Sequence, residues 1–188
     1  YYYQTGKDRD NRKLTAYHGS IFSTYAKGRF TTGPGVDILS GNNTNISSNE
    51  SKRFDPLYGT PHKFWGNMDY FYAPTGSPSA GLKDYYFKTK FTTKGFFITA
   101  DLHRFESYNS LPTSMKSHLA NELDLTANFT LNQFTSFEVG YSSMWASRNM
   151  AIAKSQDVTV SYDKTPSFGY IMINIRPDFL YTKKLTHN

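Results

Sequence analysis

The 188-residue chain contains no cysteine, so no disulfide can staple it and no thiolate can hold a metal. It has no run of about 18 apolar residues, which excludes a transmembrane helix. The N-terminus lacks the basic, apolar and small-residue order of a signal peptide. We therefore expect a mature form or a fragment, and favour a fragment, because Tyr1 to Gln4 reads as the tail of a strand whose start is missing. Apolar residues are scarce at 38%, yet aromatics reach 17%, from 15 Tyr, 15 Phe and 2 Trp. That combination suits strands with one greasy side, a polar interior and aromatic girdles better than a packed globular core.

What is present is alternation. From Leu119 to Leu131 one parity reads Leu119, Asn121, Leu123, Leu125, Ala127, Phe129, Leu131 and the other Ala120, Glu122, Asp124, Thr126, Asn128, Thr130. Strands of soluble sheets usually run about 5 to 6 residues, whereas a tilted strand crossing a bilayer needs about 9 to 11. The same reading places strands at Tyr1 to Gln4, Leu14 to Ala26, Phe30 to Ser40, Leu82 to Thr92, Phe96 to Phe105, Leu119 to Leu131, Ser136 to Trp145 and Phe168 to Arg176. Short connections at 27–29, 93–95 and 132–135 alternate with long polar ones at 5–13, 41–81, 106–118 and 146–167. The expected fold is all-β, an antiparallel transmembrane β-barrel, with this chain supplying about eight strands of a larger wall. Short turns then lie on the periplasmic side and long loops outside.

The run from Asn67 to Ala73 also alternates, but a crossing there would swap the sides midway, so 41–81 is read as one long external loop, holding a short hairpin or helix. Its aromatics Phe54, Tyr58, Phe64, Trp65, Tyr70, Phe71 and Tyr72 predict packing into the barrel mouth. On the wall, Tyr85, Phe87, Phe91, Ile98, Leu102, Phe137, Val139, Tyr141, Trp145, Ile171, Ile173 and Ile175 are assigned to lipid. Asp84, Tyr86, Lys88, Lys90, Asp101, His103, Glu122, Asp124 and Glu138 are assigned to the lumen. The parities of Leu14 to Ala26 are mixed and give no orientation. Gly33-Pro34-Gly35 is expected to interrupt its strand, and Asp101 with His103 to form a hydrogen-bonded pair.

The stretch Phe54-Asp55-Pro56-Leu57-Tyr58-Gly59-Thr60-Pro61-His62-Lys63-Phe64-Trp65-Gly66-Asn67-Met68-Asp69-Tyr70-Phe71-Tyr72, with 81–86, Ala100 to Phe105 and Ile173-Asn174-Ile175-Arg176-Pro177, resembles the alginate export family of outer-membrane β-barrels in its Bacteroidetes-type form. The resemblance covers most of the chain and implies the C-terminal portion of a barrel of about 18 strands. It further implies a bacterial outer-membrane channel, porin-like, for export or passive diffusion of a hydrophilic polysaccharide, an anionic one such as alginate included. Its partners would be outer-membrane lipid and lipopolysaccharide, the polysaccharide, and the remaining barrel segment or a membrane complex. Candidate substrate contacts are Lys88 and Lys90 on the wall and Lys52, Arg53, His62 and Lys63 on the loop. The plainer reading is that these are solvated charges paired with neighbouring carboxylates. The lumenal set mixes Lys88 and Lys90 with five acids, which departs from a uniformly positive pore.

No catalytic residue, cofactor or metal is expected. The five histidines show no metal-ligand spacing, and no nucleophile elbow or phosphate-binding Gly loop occurs. Glu122 and Asp124, about 7 Å apart at 3.4 Å per residue, could in principle serve glycoside hydrolysis, but such pairs arise by default on a polar face. Nucleic-acid binding is not expected, because the aromatics lie apart from the Lys and Asp parity rather than interleaved with it. The alternative function is a plugged or structural barrel acting as a binding module, with the 41–81 loop permanently in the lumen.

Overall fold

The computed structural model describes residues 1–56, 64–71, 78–111, 117–155 and 165–177. The strands are β1 (Tyr2–Lys7), β2 (Lys13–Phe22), β3 (Tyr25–Lys27), β4 (Phe30–Leu39), β5 (Glu50–Ser51), β6 (Leu82–Thr93), β7 (Phe96–Ser107), β8 (His118–Asn132), β9 (Thr135–Ala146) and β10 (Ser167–Ile175). One helix, α1 (Arg148–Ser155), lies between β9 and β10. The sheet is an antiparallel meander in the order β1-β2-β4-β6-β7-β8-β9-β10, with β3 continuing along β4 and β5 pairing β2 in parallel. Among the described residues it does not close on itself, so β1 and β10 each keep a free edge.

Every principal strand foreseen in the sequence is present, with ends shifted by a few residues. Two-residue turns join β3 to β4, β6 to β7 and β8 to β9, with Gly28 and Gly95 at positive φ. In the third turn the Asn132 carboxamide accepts the Phe134 amide at 2.8 Å, an Asx turn. All three turns lie on one rim and are tied together by bonds from Thr92 N to Arg29 O, Thr130 N to Gly95 O and Arg176 N to Phe134 O.

The structure departs from the sequence reading in several places. The 5–13 connection is short, because β1 runs to Lys7 and Asp8 organises a tight turn by accepting the amides of Asp10 and Arg12. Leu14 to Ala26 breaks after Phe22, whereas β4 runs straight through Gly33-Pro34-Gly35. The cause is one constraint seen from both sides. Pro34 has no N–H to donate, and only the bond from Ser23 N to Pro34 O, 2.9 Å, remains at that level. The partner strand therefore lapses while the register carries on into β3. Within 41–81 the described residues hold β5 and turns but no hairpin or helix. The helix that does occur, α1, was not foreseen. Its Met150 and Ile152 are buried, and Ser147 Oγ and Asn149 Nδ2 both donate to His118 O at the start of β8, at 2.9 and 3.0 Å.

Exposure is inverted relative to a water-soluble sheet. Ile171, Ile173, Ile175 and Leu102 are 72%, 62%, 67% and 53% exposed, while Asp84, Glu122, Asp124 and Ser142 are 0%, 1%, 3% and 1% exposed. Along the exposed face, rings line up near the short-turn rim: Phe30 with Phe91 at 4.9 Å, Phe96 with Phe129 at 4.9 Å and Phe129 with Phe137 at 6.4 Å. Tyr85, Tyr141 and Trp145 stand toward the opposite rim. Trp145 and Phe137 are eight residues apart on β9, about 27 Å along the strand at 3.4 Å per residue.

The buried face forms a core only at the long-loop end, where Leu39, Leu82, Phe105, Ala120 and Met144 of the wall meet Phe54, Trp65 and Phe71 of the loop and Met150 of α1. The loop leaves and returns through a neck in which Asn42 N donates to Ser79 O, 2.7 Å, and Asn109 Nδ2 to Gly41 O, 2.7 Å.

At Gly33 an added Cβ would overlap the Ser23 carbonyl oxygen, whereas at Gly19 it would meet nothing nearer than 4.0 Å. Gly33→Ala is therefore expected to lower unfolding stability by about 1 to 3 kcal/mol through overpacking. Gly19→Ala should stay within about 0.5 kcal/mol. Urea titration of the refolded protein distinguishes the two.

Candidate functional site

The buried face orients every strand, including β2. The register aligns Ser20 with Asp37 and Asp37 with Asp84, then Tyr86 with His103, His103 with Glu122, and Asp124 with Ser142. A band of polar side chains thus crosses the wall, and directly opposed residues on one face stand about 4.5 to 5.5 Å apart. All nine residues assigned to the lumen, Asp84, Tyr86, Lys88, Lys90, Asp101, His103, Glu122, Asp124 and Glu138, fall on this parity. On β2 the inward set is Ala16, His18 and Ser20, which the mixed pattern of Leu14 to Ala26 had hidden.

His103 sits at the centre. Its Nδ1 donates to both carboxylate oxygens of Asp84 at 2.9 Å, and its Nε2 lies 3.8 Å from Asp124 Oδ2. The ring stacks on Phe105 at 5.5 Å and lies beside Tyr86 at 5.7 Å. The expected Asp101–His103 pair is thus corrected. Residues two apart on one strand are about 6.8 Å apart, farther than cross-strand neighbours, so each turns sideways: His103 to Asp84, and Asp101 to Lys88 Nζ at 3.3 Å.

The loop is seated on this band by its backbone. Asn67 N donates to Asp124 Oδ2 at 3.1 Å and Met68 N to Glu122 Oε1 at 2.9 Å. Two consecutive amides aimed at carboxylates form an anion-holding concavity, here turned onto the protein's own wall. The geometry is strained: Trp65 and Asp69 have φ 58° and Gly66 φ 84°. Left-handed φ at a bulky residue such as Trp65 persists only when its surroundings impose it. At Gly66 the cause is visible, since a Cβ would stand 2.5 Å from Glu122 Oε1. Behind the amides, Trp65 meets His18 edge-on at 5.8 Å and Phe71 packs on Phe105 at 4.6 Å. Glu122 Oε2, Asp124 Oδ1 and Ser142 Oγ are buried without hydrogen-bond partners.

The basic candidates divide. Lys88 is held by Asp101 and lies 5.1 Å from the Tyr86 ring. Lys90 stands over the Phe97 ring at 4.1 Å and, among the described residues, makes no ion pair. Lys52 is exposed, and its backbone rather than its ammonium is engaged, with Ser40 and Asn42. Arg53 is half-buried at the loop end. His62 and Lys63 lie outside the described residues. Glu138 faces the short-turn end, accepting Asn128 Nδ2 and Tyr170 OH at 2.9 Å each.

Sequence reasoning missed Asp37, His18, Gly66 and Tyr170. The glycines held the signal for one pattern: Tyr86 lies flat over Gly35, and Tyr170 over Gly140, where any Cβ would overlap the ring. Each ring covers a gap in the neighbouring strand. Among the described residues, no three His, Asp or Glu side chains are placed to hold one metal ion. No family model, curated protein or solved structure matches the chain.

Replacing Glu122 and Asp124 by Ala removes the acceptors of both amides and leaves each buried donor unpaired, at a cost of about 1 to 3 kcal/mol. Hydrogen exchange at the Asn67 and Met68 amides should then accelerate by at least about tenfold, since 1.4 kcal/mol is tenfold in an opening equilibrium. Gly66→Val should release the same amides while leaving exchange in β7 and β8 slow.

Proposed function

We propose that the chain is part of the wall of an antiparallel β-barrel in a bacterial outer membrane. Its role is a porin-like channel for export or diffusion of a hydrophilic polysaccharide, an anionic one such as alginate included, as the resemblance to the alginate export family implies. The observation that carries the reading is the inversion of exposure: long isoleucine, leucine and phenylalanine rows face outward, while carboxylates and a histidine are enclosed. In water that arrangement loses apolar burial and desolvates charge at once. In a bilayer the outward rows meet acyl chains, and the rings near each rim match interfacial girdles. The two free edges call for further strands, since an unpaired edge cannot remain within hydrocarbon. In this reading the cargo passes unchanged, and Glu122 and Asp124 serve to hold the loop's amides.

The loop gives the channel its narrow point. Because Trp65 and Phe71 are 4% and 0% exposed, a second reading has specific support, a plugged barrel that serves as a binding module. Conductance of the full-length protein in planar bilayers separates them. A channel conducts as isolated, and exchanging 64–71 for a flexible Gly-Ser linker enlarges its unit conductance. A plugged barrel is silent until that exchange. No conductance in either form removes the pore.

Selectivity should follow the pairing of the lysines. Among the described residues Lys90 has no counter-ion, whereas Lys88 is compensated by Asp101, and rings of uncompensated charge govern ion preference. Lys90→Glu is expected to shift the reversal potential toward cation preference more than Lys88→Glu. An equal or opposite ranking removes Lys90 from the pathway.

A further inference from the structure

We infer that the outward face of the wall binds a phosphorylated glycolipid of the lipid A type, with its phosphate at Arg104 and Lys83 and one acyl chain in a groove beside them. Two cross-strand rows of outward side chains bound a concavity of about 480 Å³. Nearer the long-loop rim is the row Tyr85, Arg104, Asn121 and Trp145, opposed in register from β6 to β9. The next row is Pro34, Phe87 and Leu102, on β4, β6 and β7. The backbone of the row between them, from Gly35 to Glu122, forms the floor. Two outward rows flanking one inward row place the opening on the exposed apolar face, away from the polar band. The groove crosses five strands, about 19 Å at 4.8 Å per step.

One bank of the groove is cationic and the other greasy. Arg104 Nε donates to Glu106 Oε1 at 3.0 Å, and Ser117 Oγ donates to Glu106 Oε2 at 3.3 Å. The guanidinium is thus held by its inner nitrogen, which leaves the two terminal nitrogens for a ligand. The Arg104 side chain is 57% exposed and that of Glu106 18%, so the cation covers the acid that orients it. Lys83 opposes Glu106 in register and is diagonal to Arg104, about 7 to 8 Å away between side-chain bases. Its ammonium lies 5.6 Å from the Tyr108 ring centroid. Lys83 and Arg104 against Glu106 leave this bank positive. His118 Nε2 lies 3.4 Å from Asn121 Oδ1, so the Asn121 amide hydrogens also remain for a ligand. A guanidinium in hydrocarbon is costly, but this one shares its level with Tyr85 and Trp145, rings suited to the interface. A guanidinium fork beside an ammonium fits a phosphate, while Pro34, Phe87 and Leu102 lie one row deeper, where an acyl chain begins. In the proposed orientation the long loops are outside, on the lipopolysaccharide leaflet, so the phosphate is that of a lipid A.

This inference rests on the outer-membrane reading and is independent of the pore. In the test, the full-length protein is delipidated in detergent and mixed with diphosphoryl lipid A, its dephosphorylated form or phosphatidylglycerol, and the retained lipid is read by native mass spectrometry. Diphosphoryl lipid A should be retained, and Arg104→Gln should weaken its retention about tenfold, the loss of a charge-assisted hydrogen bond. Arg104→Lys should retain more than Arg104→Gln, because an ammonium still meets a phosphate. Leu102→Trp, which fills the groove and leaves every charge in place, should also weaken retention. Lys94→Gln, in the turn between β6 and β7, should leave it unchanged. Far-UV circular dichroism checks that each variant keeps its strands. Equal retention of the dephosphorylated lipid, or full retention by Arg104→Gln, overturns the phosphate site. Full retention by Leu102→Trp overturns the groove, and equal retention of phosphatidylglycerol overturns the glycolipid. Failure to insert into lipid vesicles sinks the membrane reading; insertion without lipid A retention sinks this site alone, and retention without conductance sinks the pore alone.

Discussion

Two carboxylates on one strand, Glu122 and Asp124, are buried on the wall, and the loop meets them with consecutive backbone amides. A buried carboxylate without donors costs several kcal/mol, so the amides cannot be given up lightly. Amides alone could not remain there either, because unpaired N–H groups under a layer of protein carry their own penalty. Each side therefore needs the other. The left-handed turn at Trp65 and Gly66 is the shape in which a short loop can aim adjacent amides at one point, and Trp65 and Phe71 supply the apolar burial that offsets its strain.

The same dependence explains why the core lies at one end. A sheet with an apolar outer face has no second layer to pack against in water, so its inner face is filled by polar side chains that satisfy one another across strands: His103 with Asp84, Lys88 with Asp101, Tyr170 with Glu138. Only where the loop and α1 descend does the inner face turn apolar, through Leu39, Leu82, Phe105 and Met144. The change from polar to apolar along a single strand face marks how far the cap reaches. It leaves Lys90 and Glu138, toward the short-turn rim, beyond the cap.

Much of this was legible in the residues because period 2 is a strong signal when it runs unbroken, as from Leu119 to Leu131. Face assignments followed from it, and all nine residues assigned to the inner face share one side. What was hidden is long-range or depends on backbone shape. Leu14 to Ala26 mixes parities because its inward set is Ala16, His18 and Ser20, small or polar residues that look alike on both faces. The strand break appears opposite Pro34 rather than at it, since a proline withdraws a donor from its neighbour's ladder as well as its own. The side-chain partner of His103 lies 19 residues away on the adjacent strand, and sequence spacing speaks only for Asp101. A short helix held by hydrogen bonds to His118 O leaves almost no periodic trace in Arg148 to Ser155.

The strain in the cap bears on how the loop behaves as well as how it is built. A segment with Trp65 and Asp69 in left-handed backbone holds its shape only while wall and cap agree. Its backbone amides at Asn67 and Met68 are held by side chains of β8, so a disturbance of that strand face reaches the loop directly. The neck at 41–42 and 79–81 is tied by its own backbone bonds and does not depend on Glu122 or Asp124. Loss of the amide contacts would therefore free the tip of the loop without unravelling its base. Freeing a tip on a fixed hinge costs less order than unfolding the whole segment from the sheet, so the carboxylates, rather than the neck, decide whether the tip stays seated.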